Sequence, residues 1–90
     1  MFRLGLKRRA VRFLERADAR REAELRTLLA TLKDEPVPVK TYDVCRLEGY
    51  EDVYRVRLGD LRVVYRVAWR ERLVSVLYVG PRGRAYDKRY

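Results

Sequence analysis

Residues Tyr54 to Arg66, reading Tyr-Arg-Val-Arg-Leu-Gly-Asp-Leu-Arg-Val-Val-Tyr-Arg, are two alternating runs on either side of a Gly-Asp pair. This is the pattern of a β-hairpin closed by a two-residue turn, and that loop length fixes the register. With Leu58 opposite Leu61, Arg57 lies across from Arg62 and Arg55 across from Val64, all four on one face. Tyr54, Val56, Leu58, Leu61, Val63 and Tyr65 point to the other. Directly opposed like charges destabilise a sheet. A polyanion that engages both guanidiniums accounts for their presence, and RNA or DNA phosphate fits.

The rest of the chain supplies a core for that hairpin. Phe2 to Leu6 alternates apolar and polar residues, as a short first strand does. Ala10, Phe13, Leu14 and Ala17 then recur at helical spacing, and Leu25, Leu28, Leu29 and Leu32 repeat it after Asp18. Two helices are expected, with Asp18 capping the second. That helix stops before Pro36, and Pro36 and Pro38 hold residues 35–39 extended. Residues 40–52 read as a mostly acidic connector whose Val44 and Leu47 tuck against the core. Beyond the hairpin, Trp69 to Glu71 reads as a second turn and Leu73 to Val79 as a β-branched central strand, ended by Gly80, Pro81 and Gly83. The expected fold is α+β in the order β-α-α-β-β-β, an N-terminal strand and a two-helix hairpin packed on one face of an antiparallel sheet with the other face open. No repeat, linker or low-complexity stretch interrupts the chain, so residues 1–90 are expected to form a single domain.

Composition narrows the chemistry. There is no His, and Cys45 is the one cysteine, which excludes histidine acid–base catalysis, a histidine metal site, a zinc cluster and an internal disulfide. No metal and no small-molecule cofactor are expected. No apolar run approaches the ~18 residues of a membrane span, and the first residues lack the apolar core of a secretory signal, so the expected location is the cytoplasm. Net charge is +9, and eighteen of the twenty-two basic residues are Arg. Residues 1–34 carry +5, residues 35–53 carry −3 and residues 54–90 carry +7, so the positive field gathers on the C-terminal hairpins and tail. Arg3, Arg8, Arg9, Arg12, Arg16, Arg20, Arg21 and Arg26 read as a solvated face, since an Arg-rich composition has general causes. Cys45 reads as a small buried or half-buried filler. Glu48, Glu51 and Asp52 read as connector charges that counter the basic surface, and Tyr54 and Tyr65 as packing residues.

The runs Leu47-Glu48-Gly49, Val53 to Tyr65 and Leu77-Tyr78-Val79-Gly80-Pro81-Arg82 together resemble the RelE/ParE toxin superfamily. The ending Pro-Arg-Gly-Arg-Ala-Tyr, Pro81 to Tyr86, is similar to that of its archaeal RelE-type members. The resemblance spans nearly the whole chain, with its specific part in residues 47–86. It implies a small RelE-like domain and the toxin of a type II toxin–antitoxin pair. Such a toxin is an mRNA interferase, a ribosome-dependent endoribonuclease that cleaves mRNA in the decoding site, inhibits translation and is silenced by an acidic RelB-like antitoxin. In these nucleases two basic residues on the first hairpin strand, an Arg opening the next strand, an Arg just after the last strand and a C-terminal Tyr surround the scissile phosphate. The matching positions are Arg55, Arg57, Arg62, Arg82 and Tyr86. Three residues separate Arg82 from Tyr86, fewer than in the bacterial enzymes, and Tyr90 is the alternative. Arg66 and Arg84 extend the RNA-binding set.

The chemistry implied needs neither His nor metal. RNA brings its own nucleophile, the ribose 2′-hydroxyl, so the protein aligns it with the adjacent phosphate, removes its proton and stabilises the developing charge. Arg62 would contact the phosphate oxygens and Arg82 the departing oxygen. Tyr86 would stack on a base or act as the general base, with Tyr90 or a ribosomal RNA group as alternatives. Taken alone, Arg55 and Arg57 are routine solvent-side strand residues, and Arg62 opposite them tips the balance to function. Arg66 lies farther along the face, where an exposed charge is the ordinary case, and Arg82 and Arg84 have the plain alternative of hydrogen-bonding a chain end. Two other functions compete. One is a ParE-type poison of DNA gyrase, a branch that generally lacks the complete basic set; the other is a non-catalytic basic RNA-binding module.

Overall fold

The computed structural model describes residues 1–81. Strand β1 (Arg3–Leu6) is followed by helices α1 (Arg8–Arg16) and α2 (Ala19–Asp34), then by strands β2 (Asp43–Arg46), β3 (Val53–Leu58), β4 (Leu61–Ala68) and β5 (Leu73–Pro81). The strands form one sheet in the order β1-β5-β4-β3-β2. From β2 to β5 the chain is an antiparallel meander, and β1 joins β5 in parallel.

The expected α+β layering holds, with three differences of detail. The sheet is mixed rather than wholly antiparallel, because the helices carry the chain from β1 across one face to the far edge. The four-strand meander then returns with β5 running along β1. Asp43–Arg46, inside the expected connector, is a fifth strand. Only Val44 of its four side chains packs on the core, so it leaves almost no alternation to read. β5 also runs past Val79, with Gly80 paired to Arg62 and Pro81 to Leu61. Proline is tolerated there because its missing N–H falls at a strand end.

Asp18 caps α2 as expected, its carboxylate accepting a hydrogen bond from the Arg21 backbone N–H at 2.8 Å. Leu25, Leu28, Leu29 and Leu32 of α2 and Ala10 of α1 are buried against Val56, Leu61, Val63, Tyr65, Val67, Val74, Val76 and Val79. At ~1.5–3 kcal/mol for each fully buried Leu or Val side chain, this layer dominates the folding free energy. Tyr54 stacks on Tyr65 with ring centroids 5.7 Å apart. The buried Tyr65 hydroxyl donates to the Pro36 carbonyl at 2.7 Å, which fastens the extended segment after α2 to the sheet. Burial raises the pKa of that phenol well above its ordinary value. Among the described residues no helix is long and apolar enough to cross a membrane.

The face away from the helices is only partly open. Val53, Val64 and Leu77 form a second, smaller cluster with Leu47, Tyr50 and Tyr78. This apolar patch occupies the middle of that face and leaves the turn end of the β3–β4 hairpin to the arginines.

Candidate nucleic-acid interface

The Gly59-Asp60 turn gives the expected register, with Leu58 paired to Leu61, Arg57 to Arg62 and Arg55 to Val64. Gly59 has φ +61°, the left-handed value such a hairpin turn requires. Three guanidiniums therefore share one face at the end of the sheet. Arg57 is exposed and Arg62 half-buried, but Arg55 is only 8% exposed, so it is not a routine solvent-side residue. A guanidinium cannot shed its charge, and burial leaves it in need of acceptors. One terminal nitrogen of Arg55 lies 3.8 Å from the Asp43 carboxylate. The other is buried with no hydrogen-bond partner among the described residues. Asp43 also stands 3.9 Å from Arg57, and both distances exceed a hydrogen bond, so the positive charge is only partly balanced.

Asp43 belongs to β2 and pairs in register with Arg57. Sequence reasoning missed it because it missed the strand, and placed the countercharge instead on Glu48, Glu51 and Asp52. Of these, Asp52 accepts a hydrogen bond from the Trp69 indole at 3.3 Å, away from the arginines. Cys45 pairs with Arg55 across the same two strands and is exposed, not a buried filler, because β2 is the sheet edge.

Tyr78 reaches the site through an irregularity. Tyr65 pairs with Val76 and Val64 with Tyr78, so Leu77 is an extra residue in β5, a β-bulge. Uninterrupted alternation from Val76 would send Tyr78 towards the helices. The bulge turns it to the arginine face and returns Val79 to the core. Two residues on, Gly80 shares that face directly opposite Arg62. The Tyr78 ring folds over Gly80, where a Cβ would collide with the phenol oxygen and lie 2.5 Å from Cζ.

Arg9 holds Tyr78 from the side. Its Nε donates to the Leu77 carbonyl at 2.8 Å, and its guanidinium carbon sits 5.4 Å from the Tyr78 ring centroid, a cation–π contact. This approach is open because β1 pairs with β5 only as far as Val76. Arg9, Arg12, Phe13, Arg16, Arg21 and Val79 line a groove of about 530 Å³ between the helices and the end of β5.

Several helix arginines are thus more than a solvated face. Arg21 grips Asp60 in the hairpin turn through Nη2 to Oδ2 and Nε to Oδ1, the latter at 3.4 Å, and lies 3.5 Å from Asp18. The hydrogen bond from Arg21 holds the Asp60 carboxyl below its ordinary pKa, and Asp60 raises that of Arg21 in turn. Arg26 pairs with Glu22 one turn away at 3.0 Å. Arg66 is exposed and pairs with Val53, farther along the arginine face. Arg82, Arg84, Tyr86 and Tyr90 lie outside the described residues.

Residues 5–86 match the family described as the ParE toxin of the type II toxin–antitoxin system parDE. A protein of Methanocaldococcus jannaschii named "Putative toxin RelE1" is 33% identical over 85 residues, covering 94% of this chain and 94% of the relative. The archaeal RelE–RelB complex from Pyrococcus horikoshii OT3 contains a chain that superposes with a TM-score of 0.83 at 36% identity, over 93% of this chain and 98% of that one. A chain of the intact E. coli RelBE toxin–antitoxin complex superposes with a TM-score of 0.77 at 23% identity, over 93% and 100%, a likeness of fold.

Proposed function

Because this chain belongs to the ParE/RelE family of type II toxin–antitoxin toxins, we propose that it is a ribosome-dependent endoribonuclease that cuts mRNA in the decoding site and so stops translation. The observation that carries this reading is the buried Arg55 guanidinium, which has one nitrogen lacking an acceptor among the described residues and stands beside Arg57 and Arg62. A phosphate set against the three supplies the acceptor that the Arg55 nitrogen lacks among the described residues, and planar guanidiniums match its oxygens in pairs.

In the proposed reaction the 2′-hydroxyl loses its proton and its oxygen bonds to the adjacent phosphorus. The bond from phosphorus to the 5′-oxygen breaks, and that oxygen takes up a proton, leaving a 2′,3′-cyclic phosphate and a 5′-hydroxyl end. Arg62 and Arg55 hold the non-bridging oxygens as negative charge builds, and Arg57 positions the flanking backbone. Arg82 serves the departing oxygen. Tyr86 stacks on a base or removes the proton, with Tyr90 or a ribosomal group in that second task. The partner is an acidic RelB-like antitoxin, in keeping with the RelE–RelB pairing of the Pyrococcus relative, and the whole chain works as one domain in the cytoplasm. The alternative is a ParE-type gyrase poison, a branch that generally lacks the complete basic set, of which Arg55, Arg57 and Arg62 stand together on one face here.

Primer extension on translated mRNA after induction of the toxin tests the proposal. Cuts at fixed positions within codons, absent when translation is blocked, are the expected result. DNA breaks that depend on gyrase, without mRNA cuts, would replace this reading with the other.

A further inference from the structure

We propose that the Tyr78 hydroxyl is a phosphate-binding group of the arginine face, acting beside Arg62 on the same anionic oxygens. The inference rests on the reading that this face binds RNA. Tyr78 owes its position to the Leu77 bulge, and bulges are devices that re-aim a side chain. Gly80 is in ordinary extended backbone, without the left-handed φ of Gly49 and Gly59. Its lack of a side chain therefore serves space, and the Tyr78 ring fills that space. Glycine inside a strand otherwise weakens it.

The location of the hydroxyl follows from the pairing. Gly80 and Arg62 are direct cross-strand partners, and the Cβ positions of such partners lie roughly 4.5–5.5 Å apart. The phenol oxygen stands where a side chain at residue 80 would begin, and so beside Arg62. Arg9 steadies the ring from the open edge of β5, with its Nε anchored on the Leu77 carbonyl. An O–H directed at an anionic oxygen makes a short, charge-assisted hydrogen bond. It approaches from β5, a direction the β3 and β4 arginines do not cover.

Three variants of the full chain test this: Tyr78→Phe, Gly80→Ala and the two combined. The probe is a short single-stranded RNA with a 2′-O-methyl group at every ribose, which binds without being cut, and affinity is read by fluorescence anisotropy at fixed salt. Tyr78→Phe keeps the ring and should weaken binding roughly tenfold with an unchanged melting temperature. Gly80→Ala should give the same loss, because the new methyl drives the phenol from its place. The double variant should be no weaker than either single one, the sign that both act through one hydroxyl. Wild-type affinity in Tyr78→Phe, or losses that add in the double variant, would overturn the proposal. Cleavage on programmed ribosomes, measured in parallel, keeps the two inferences apart. If the wild-type protein binds the methylated RNA but cuts nothing, the nuclease reading fails while the affinity ratio still decides the role of Tyr78.

Discussion

Arg57 and Arg62 face each other across β3 and β4, an arrangement of like charges that destabilises a sheet. Arg62→Ala removes that repulsion together with the donor proposed to contact the phosphate. Cleavage should fall roughly a hundredfold, about 3 kcal/mol of barrier, while the melting temperature stays level or rises slightly. A melting curve and single-turnover cleavage on the same preparation check both halves, and undiminished cleavage by the folded variant would remove Arg62 from the mechanism. The opposed pair was legible in the sequence because a two-residue turn dictates register. The burial of Arg55 was not, since it depends on how β2 and the neighbouring strands close around it. Tyr78 was hidden for a different reason. Leu73 to Val79 is almost continuously apolar, so it carries no alternation in which a one-residue slip of phase would show.

At the scale of elements, the grip of Arg21 on Asp60 joins the first turn of α2 to the β3–β4 turn. Asp60 is held below the usual ~3.9 of an aspartate. The tether therefore contributes fully above that pH and is lost as the pH falls through the lowered folded-state value. Both side chains are well exposed, so the effect is local rather than a large share of global stability. An NMR titration of the Asp60 carboxyl should show a midpoint below the usual aspartate value in the wild type, moving upwards in Arg21→Ala as the hydrogen bond from Arg21 is lost; a midpoint insensitive to that substitution would dissolve the tether. The ends of α2 could be read in advance from Asp18, the leucine spacing and Pro36, because caps and prolines act locally. No local signal announces the Arg21–Asp60 pair, whose partners are brought together by the packing of helices on sheet.

Over the whole molecule the charge is +9, with +7 in residues 54–90, and an acidic antitoxin would be steered by that field. Its association rate should fall several-fold between low and physiological salt, while apolar contacts keep the formed complex together. Stopped-flow mixing with the cognate acidic protein measures this, and a salt-independent rate, or a complex that still cuts mRNA, would contradict neutralisation by electrostatic capture of the arginine face. The sheet order has a further effect, in time rather than in space. β5 lies between β1 and β4 although it is the last of the five to be synthesised. A growing chain carries β1 and β4 as two unfilled edges until β5 emerges and slots between them, and the pairing of Arg3 with Leu73 closes most of the described length in one step. Tyr78 and Gly80 arrive on that same strand. The face proposed to hold RNA phosphate is therefore incomplete until the last strand fills the centre of the sheet.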